Sequence, residues 1–128
     1  MSYQFTIIVP VYNEEDNLIR VETELLAYTK IASKITKILF VNDGSKDKSQ
    51  ALIETICSRN PEFTYINFEA NRGLSAAIKA GFDYTDTELV GYIDSDLQTA
   101  PSDFNLLLEH IESFDLVTGV RSNRKDSF

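Results

Sequence analysis

The amino-acid sequence predicts an α/β fold, a doubly wound and mostly parallel sheet with helices on both faces. Short apolar runs alternate with stretches of helical spacing along the chain. The first run, 5–11, is rich in β-branched residues, which favour a buried strand. Polar and acidic residues directly follow the apolar runs. A doubly wound sheet binds its ligands at that edge, beyond the carboxyl ends of the strands.

The predicted strands and helices alternate in chain order. Strands are predicted over 5–11, 38–41, 63–68, 89–93 and near 116–117. Asn13 is predicted to cap the first helix, whose apolar positions recur at helical spacing from Leu18 to Tyr28. Further helices are predicted over 48–58, over 74–84 and from Pro101 to about 111, since proline suits a first helical turn. Right-handed crossovers then give one open sheet.

Composition indicates one globular domain and argues against several classes of protein. The chain has 128 residues, an ordinary size for a single domain. Its formal net charge of -8 argues against the basic surface of a nucleic-acid-binding protein. No apolar run is long enough to span a membrane, and the N-terminal segment lacks the features of a signal peptide. The single cysteine excludes an internal disulfide, so we expect a cytoplasmic location.

Acidic residues follow three of the predicted strands and are expected to meet at one edge of the sheet. Crowded carboxylates raise each other's pKa unless a cation lies between them. Asp94 and Asp96 have the spacing that points two side chains the same way at a strand end. Together with Gln98 they offer the oxygen ligands that Mg²⁺ or Mn²⁺ prefers. The alternative is a simple loop whose aspartates cap the next helix.

Two other polar segments also allow a structural or a functional interpretation. Asp43-Gly44 is a common turn pair, and Ser45 or Asp47 could cap the second helix. Alternatively, Asp43 accepts a hydrogen bond from the N–H edge of a nucleobase. The segment 71–73 could be only a turn before a helix. The small residues that follow it are expected to let that helix pack close to the sheet: Ala76, Ala77, Ala80 and Gly81.

Four segments in order resemble the inverting glycosyltransferases of family 2, which have the GT-A fold. They are VPVYNEEDNL, VNDGSKDKS, NRGLSAAIKAGF and YIDSDLQTAP. The DSDLQ segment before a proline, with VTGVRSNRKDS after it, is most similar to the polyprenyl-phosphate sugar transferases. The resemblance implies transfer of a sugar, with inversion, from a UDP- or GDP-linked donor to a polyprenyl phosphate. It also implies a Mg²⁺ or Mn²⁺ cofactor.

The resemblance further assigns roles to individual residues. The residues implied to bind the nucleotide are Pro10, Tyr12, Glu14, Asp43, Asn71 and Asp94. The residues implied to surround the metal and the diphosphate are Asp94, Asp96 and Gln98. Asp96 and Arg121 are the implied catalytic residues, with Arg121 meeting the acceptor phosphate or the donor and Arg124 a weaker candidate. Asn42 departs from the family pattern, which has an aspartate there, so the base-binding role falls on Asp43.

The resemblance also implies a domain boundary. We expect a nucleotide-sugar-binding domain over 1–120 and a basic tail over 121–128 that leads to a C-terminal part. In the lipid-phosphate branch, that part carries amphipathic and membrane helices. The full-length protein is therefore expected to be associated with the cytoplasmic face of a membrane.

Other functions remain open at this point. A phosphatase of the haloacid dehalogenase type requires threonine or valine at the position of Gln98. A hydride-transferring Rossmann enzyme requires a glycine-rich turn after its first strand, and VPVYNEED has no glycine. A nucleotide-binding module without catalysis is a further alternative. So is a family 2 transferase acting on a saccharide hydroxyl, which would need a general base.

Overall fold

A computed structural model of the protein describes residues 2–95, 100–105, 116–117 and 120–122. Strands and helices alternate in it as predicted. The bounds are β1 Phe5–Val11, α1 Leu18–Ile31, β2 Thr36–Asp43, α2 Ser49–Arg59, β3 Phe63–Phe68, α3 Leu74–Tyr84, β4 Leu89–Tyr92, β5 Leu116–Val117 and β6 Val120–Ser122. In the described part of the chain, no helix is both long and apolar enough to cross a membrane.

The strands form one sheet in the order β3-β2-β1-β4-β6-β5. The first four are parallel, whereas β6 is antiparallel to β4 and β5 is antiparallel to β6. The prediction of a mostly parallel, doubly wound sheet is therefore confirmed. The order reverses at β1, because the chain passes outward to β3 and returns to place β4 on the other side. Ligands of such sheets bind at this reversal.

The β6 strand was not predicted, because its three residues lack an apolar run. It pairs Arg121 with Val90 of β4. The expected domain boundary between 120 and 121 therefore falls inside β6, Val120–Ser122. Tail residues 123–128, including Arg124, lie outside the described residues.

The central strand β1 separates two apolar layers. All seven of its residues are buried. Side chains alternate between the faces of a strand, so Phe5, Ile7, Val9 and Val11 pack with α1 and α2. Ile8 packs on the opposite face with Ala77 and Phe82 of α3. The helices thus cover both faces of the sheet, as the sequence predicted.

Helix α3 lies close to the sheet because small residues face β1. Ala77 and Gly81 are buried in this contact. A methyl group added at Gly81 would come within 2.8 Å of the Ile8 side chain. The prediction of a small-residue packing face is confirmed for these two positions, and Ala76 and Ala80 are half-buried beside them.

The segment after the predicted metal motif returns to the opposite edge of the sheet. Residues 103–105 are helical, and the remainder of the helix predicted from Pro101 lies outside the described residues. The Phe104 ring contacts that of Phe5, with 5.4 Å between centroids. Asn105 binds the end of α1 by donating to Ile31 O and accepting from Tyr28 Oη. Burial raises the pKa of Tyr28 to about 12, so this hydroxyl stays protonated and able to donate.

Glu22 joins α1 to α2 on one face of the sheet. Glu22 is 7% exposed. Its carboxylate accepts hydrogen bonds from Arg59 Nε and Nη2 and from Asn60 Nδ2, at 2.8, 2.6 and 2.7 Å. The bonds from Arg59 are the largest influence and lower the pKa of Glu22 despite partial burial. The folded state therefore favours the ionised carboxylate.

Replacing Glu22 by glutamine should lower stability in a pH-dependent way. A lowered folded-state pKa stabilises the protein above the ordinary value of 4.5 and ceases to do so as the pH falls through the folded-state value. We expect Glu22→Gln to reduce the free energy of unfolding at pH 7 by about 1–3 kcal/mol. The loss should shrink below pH 4.5. Urea unfolding at several pH values measures both quantities.

Glu24→Gln is the matched control for this substitution. Glu24 pairs with Arg20 one turn away on the exposed face of the same helix, where such a pair contributes no more than about 0.5 kcal/mol. A Glu22→Gln loss that persisted unchanged at acid pH would contradict the electrostatic account of the Glu22 contact.

Candidate functional site

A cleft of about 350 Å³ opens at the carboxyl edge of the sheet, where β1, β2 and β4 end. This is the position that the topology predicts for a ligand. The cleft is lined by Pro10, Val11, Tyr12, Glu14, Asp43, Asn71, Gly73, Leu74, Ala77, Asp94 and Ser95. All six residues expected to bind the nucleotide are in this set. The structure therefore brings together, from four separate segments, the side chains that the sequence singled out.

The structure does not describe the side chains of the other predicted site residues, Asp96, Gln98 and Arg121. Asp96 and Gln98 lie outside the described residues. The backbone of Arg121 is in β6. Asp94 is exposed at the end of β4 and lines the cleft. Within the described ranges, no three acidic, histidine or cysteine side chains converge as a metal site.

Asp43 links the end of β2 to the start of α3. The residue is 4% exposed. Oδ1 accepts the Arg72 N–H at 2.6 Å, and Oδ2 accepts the Gly73 N–H and Asn71 Nδ2 at 3.0 Å each. These three donors satisfy most of the carboxylate's capacity, since two carboxylate oxygens offer about four acceptor positions. Asp43 thus fixes the 71–73 turn at the cleft and leaves room for about one further donor.

The neighbouring Asn42 faces away from the cleft because successive residues of a strand point to opposite faces. Its Nδ2 donates to Gln50 of α2 at 2.7 Å, and its Oδ1 accepts from Ser45 Oγ at 2.6 Å. Asn42 therefore packs under α2, on the face opposite Asp43. The departure from the family pattern falls at a position that does not line the cleft.

Gly44 allows the 71–73 turn to approach β2. Its φ is +73°, and a Cβ atom at this position would lie 2.4 Å from backbone atoms of both Ala70 and Asn71. No side chain larger than hydrogen fits between these segments. The Asp-Gly pair that the sequence marked as a turn is therefore also a close backbone contact.

Two loops beside the cleft are joined by five hydrogen bonds between the backbone of one and the side chains of the other. We call this contact between residues 13–15 and 45–49 the loop clasp. The amides of Asn13, Glu14 and Glu15 donate to Ser45 Oγ, Ser49 Oγ and Asp47 Oδ2, at 2.9, 2.9 and 3.1 Å.

Two bonds of the loop clasp run in the reverse direction. The Lys46 and Lys48 amides donate to Asn13 Oδ1 and Glu15 Oε1, at 2.8 Å each. The prediction that Asn13 caps α1 is therefore wrong, because its side chain is bonded to the other loop and α1 begins at Leu18. Asn13 also has a φ of +54°, a conformation that asparagine tolerates better than most residues.

Sequence reasoning missed several residues of this region. Leu74 is 56% exposed and lines the cleft, and its apolar side chain gave no signal of a site. Ser45 and Asp47 were considered as helix caps. Asp47 does accept the Ser49 amide at 2.9 Å, but it also bonds across to Glu15. A helix cap and a cross-loop acceptor use the same residue types, so the sequence alone does not separate the two roles.

The fold and the cleft define a GT-A glycosyltransferase domain. Among solved structures, the fold is similar to the mannosyltransferase PcManGT from Pyrobaculum calidifontis in complex with GDP-Man and Mn²⁺. The TM-score is 0.71 at 20% identity, over 91% of this chain and 34% of that one. It is also similar to Staphylococcus aureus TarS in complex with UDP-GlcNAc, with a TM-score of 0.65 at 23% identity, over 86% of this chain and 31% of that one.

The chain belongs to glycosyl transferase family 2, whose sequence profile matches residues 6–128. It is 40% identical to an undecaprenyl-phosphate 4-deoxy-4-formamido-L-arabinose transferase of Pseudomonas fluorescens, over 95% of this chain and 36% of that protein. It is 37% identical to the uncharacterised glycosyltransferase YkcC of Bacillus subtilis, over 95% of this chain and 38% of that protein. The chain thus spans little more than a third of these relatives.

Gly44→Ala should destabilise the domain more than Gly73→Ala. Both glycines have positive φ, but an added Cβ meets the backbone at Gly44 and nothing within 4 Å at Gly73. Backbone strain alone costs about 1–3 kcal/mol at either position, and Gly44→Ala must also displace the 71–73 turn. Thermal unfolding of the two variants measures the difference. Equal losses would show that the close approach at Gly44 contributes nothing.

Proposed function

We propose that this chain is the donor-binding part of an inverting glycosyltransferase that moves a sugar from a nucleoside diphosphate to a polyprenyl phosphate. The observation that carries the proposal is the convergence of the predicted nucleotide-binding residues on one cleft at the carboxyl edge of the sheet. Family membership and the name of the Pseudomonas relative support the reaction and the acceptor. The donor is a UDP- or GDP-linked sugar.

The base and ribose would occupy the side of the cleft formed by Pro10, Tyr12 and Glu14. Tyr12 is 44% exposed there, so its ring offers an open aromatic surface. Asp43 also lines the cleft. Three protein N–H groups already donate to its carboxylate, which leaves about one acceptor position free for a ligand. That position suits an N–H group of a base, and Asn71 would border the same end.

The diphosphate would lie toward Asp94, with Mg²⁺ or Mn²⁺. A carboxylate oxygen is a ligand that such an ion accepts. Asp94 presents an exposed carboxylate to the cleft, whereas the oxygens of Asp43 are already bonded to N–H groups. Asp96 and Gln98 would complete the ligands. When bound, the metal neutralises the diphosphate and stabilises the charge that develops as it leaves. The Mn²⁺ in the PcManGT complex supports this proposal.

The acceptor side would involve Arg121 and the parts of the protein that follow. A guanidinium group suits a phosphate acceptor because it can donate two parallel hydrogen bonds. A lipid phosphate is already ionised, so the reaction needs little help from a general base, whereas a saccharide hydroxyl would need one. A lipid acceptor also implies that the full-length protein works at a membrane, on its cytoplasmic face.

A second candidate function is nucleotide binding without catalysis. It is supported by the same observation, because six predicted nucleotide-binding residues at one cleft account for binding and do not by themselves require catalysis. Both candidates require the same donor cleft. Nucleotide binding is therefore the first property to test, and sugar transfer the second.

Metal should strengthen nucleoside diphosphate binding, and Asp94→Asn should remove much of that effect. Losing a direct ligand should reduce Mn²⁺-dependent affinity for uridine or guanosine diphosphate by at least about tenfold, the lower range seen for outer-shell residues. Calorimetric titration with and without Mn²⁺ measures this. Asp16→Asn is the control, because Asp16 is exposed and does not line the cleft. Equal affinity with and without metal would rule out the metal role.

A further inference from the structure

The β1–α1 loop has backbone amides that receive no partner from its own helix. Its amides at Asn13, Glu14 and Glu15 precede α1, which begins at Leu18, so they have no place in the helical ladder. Asn13 is in the left-handed region with a φ of +54°, which asparagine tolerates better than most residues. All three amides donate instead to side chains of residues 45–49, which hold this loop in place.

We propose that Ser45, Asp47 and Ser49 are positioning residues for nucleotide binding. Their side chains accept the three amide protons of the β1–α1 loop and thereby set the placement of the cleft-lining residues on either side of Asn13. The inference rests on the proposed donor-binding function, and it assigns a part in that function to side chains that do not line the cleft.

The link to the cleft follows from sequence adjacency and exposure. Tyr12 and Glu14 both line the cleft and flank Asn13 directly. Tyr12 is 44% exposed, so burial alone does little to hold it. Its position depends on the backbone beside it, and the Asn13 amide is bonded to Ser45 Oγ at 2.9 Å. A change at Ser45 therefore acts on the nucleoside side of the cleft, away from Asp94.

The acceptors are themselves held in place. Ser49 is fully buried at the first residue of α2. Ser45 Oγ bonds to Asn42 Oδ1 at 2.6 Å. Burial alone would raise the pKa of Asp47, but hydrogen bonds from Ser49 and from the Glu15 amide outweigh it and lower the pKa below 3.8. Asp47 is therefore an ionised acceptor at neutral pH, and such bonds are stronger than neutral ones.

The first test compares binding of a nucleoside diphosphate with binding of inorganic diphosphate, which lacks the nucleoside. Ser45→Ala removes the hydrogen bond from the Asn13 amide and also the bond to Asn42 Oδ1. Loss of the first bond should weaken binding of the tighter-bound of uridine and guanosine diphosphate by about 2- to 12-fold. Binding of inorganic diphosphate with Mn²⁺ should stay unchanged, because that part of the ligand lies toward Asp94. Ser45→Thr keeps the hydroxyl and should restore affinity. Calorimetric titration measures all three.

Ser58→Ala is the matched control for Ser45→Ala. Like Ser45, Ser58 follows β2 in the sequence. Its hydroxyl, however, is exposed and donates to Thr55 O within α2. Its removal should leave both affinities at the wild-type values. The inference is overturned if Ser45→Ala binds the nucleoside diphosphate as wild type does, or if it weakens binding of both ligands equally.

A second test does not depend on any ligand. Amide hydrogen exchange at Asn13, Glu14 and Glu15 should be faster in Ser45→Ala and Ser49→Ala than in Ser58→Ala, with exchange in β1 unchanged. If the wild-type protein binds no nucleoside diphosphate, the proposed function fails, and this experiment still decides whether the acceptors hold the loop. Unchanged exchange at all three amides would contradict the inference.

Discussion

The carboxylate of Asp43 is the contact on which the cleft depends. It stands at the carboxyl end of β2 and gathers three N–H donors from the turn before α3. Buried acceptors of this kind are costly to leave unsatisfied, so the 71–73 turn and the strand end hold each other in place. The turn can come this close only because Gly44 has no side chain. The shape of the cleft at this point thus depends on the Asp43 carboxylate and on the absence of a side chain at Gly44.

The alternation of side chains along a strand connects this contact to the rest of the site. Asp43 faces α3 and the cleft, whereas Asn42, one residue earlier, faces α2 and bonds to Gln50 and Ser45. The same strand end therefore organises both walls. The Asp43 carboxylate fixes the wall formed by the 71–73 turn. Ser45 fixes the wall formed by the β1–α1 loop, because its hydroxyl accepts a hydrogen bond from the Asn13 amide. A substitution on either face of the β2 strand end should therefore alter the cleft.

The sequence was sufficient for the parallel strands and for the convergence of six candidate residues at one edge, because both follow from strong local signals. Buried parallel strands are continuous apolar runs, and their polar continuations must meet at one edge once the strands are parallel. The β6 strand could not be predicted in this way, since Val-Arg-Ser has no apolar run and pairs only because β4 offers an open edge. The role of Asn13 was also misjudged. A helix cap and a cross-loop bond use the same asparagine, and only the tertiary structure decides between them.

The central claim is that a nucleoside diphosphate binds at the carboxyl edge between β1, β2 and β4. Mapping amide chemical shifts by NMR during titration with uridine or guanosine diphosphate and Mn²⁺ tests it most directly. We expect saturable shifts at residues that line the cleft, namely Tyr12, Glu14, Gly73 and Asp94. A second groove, at the opposite edge of the sheet beside Tyr3, Lys30 and Lys34, provides an internal comparison. Shifts confined to that groove, or no saturable shifts in the cleft, would contradict the account.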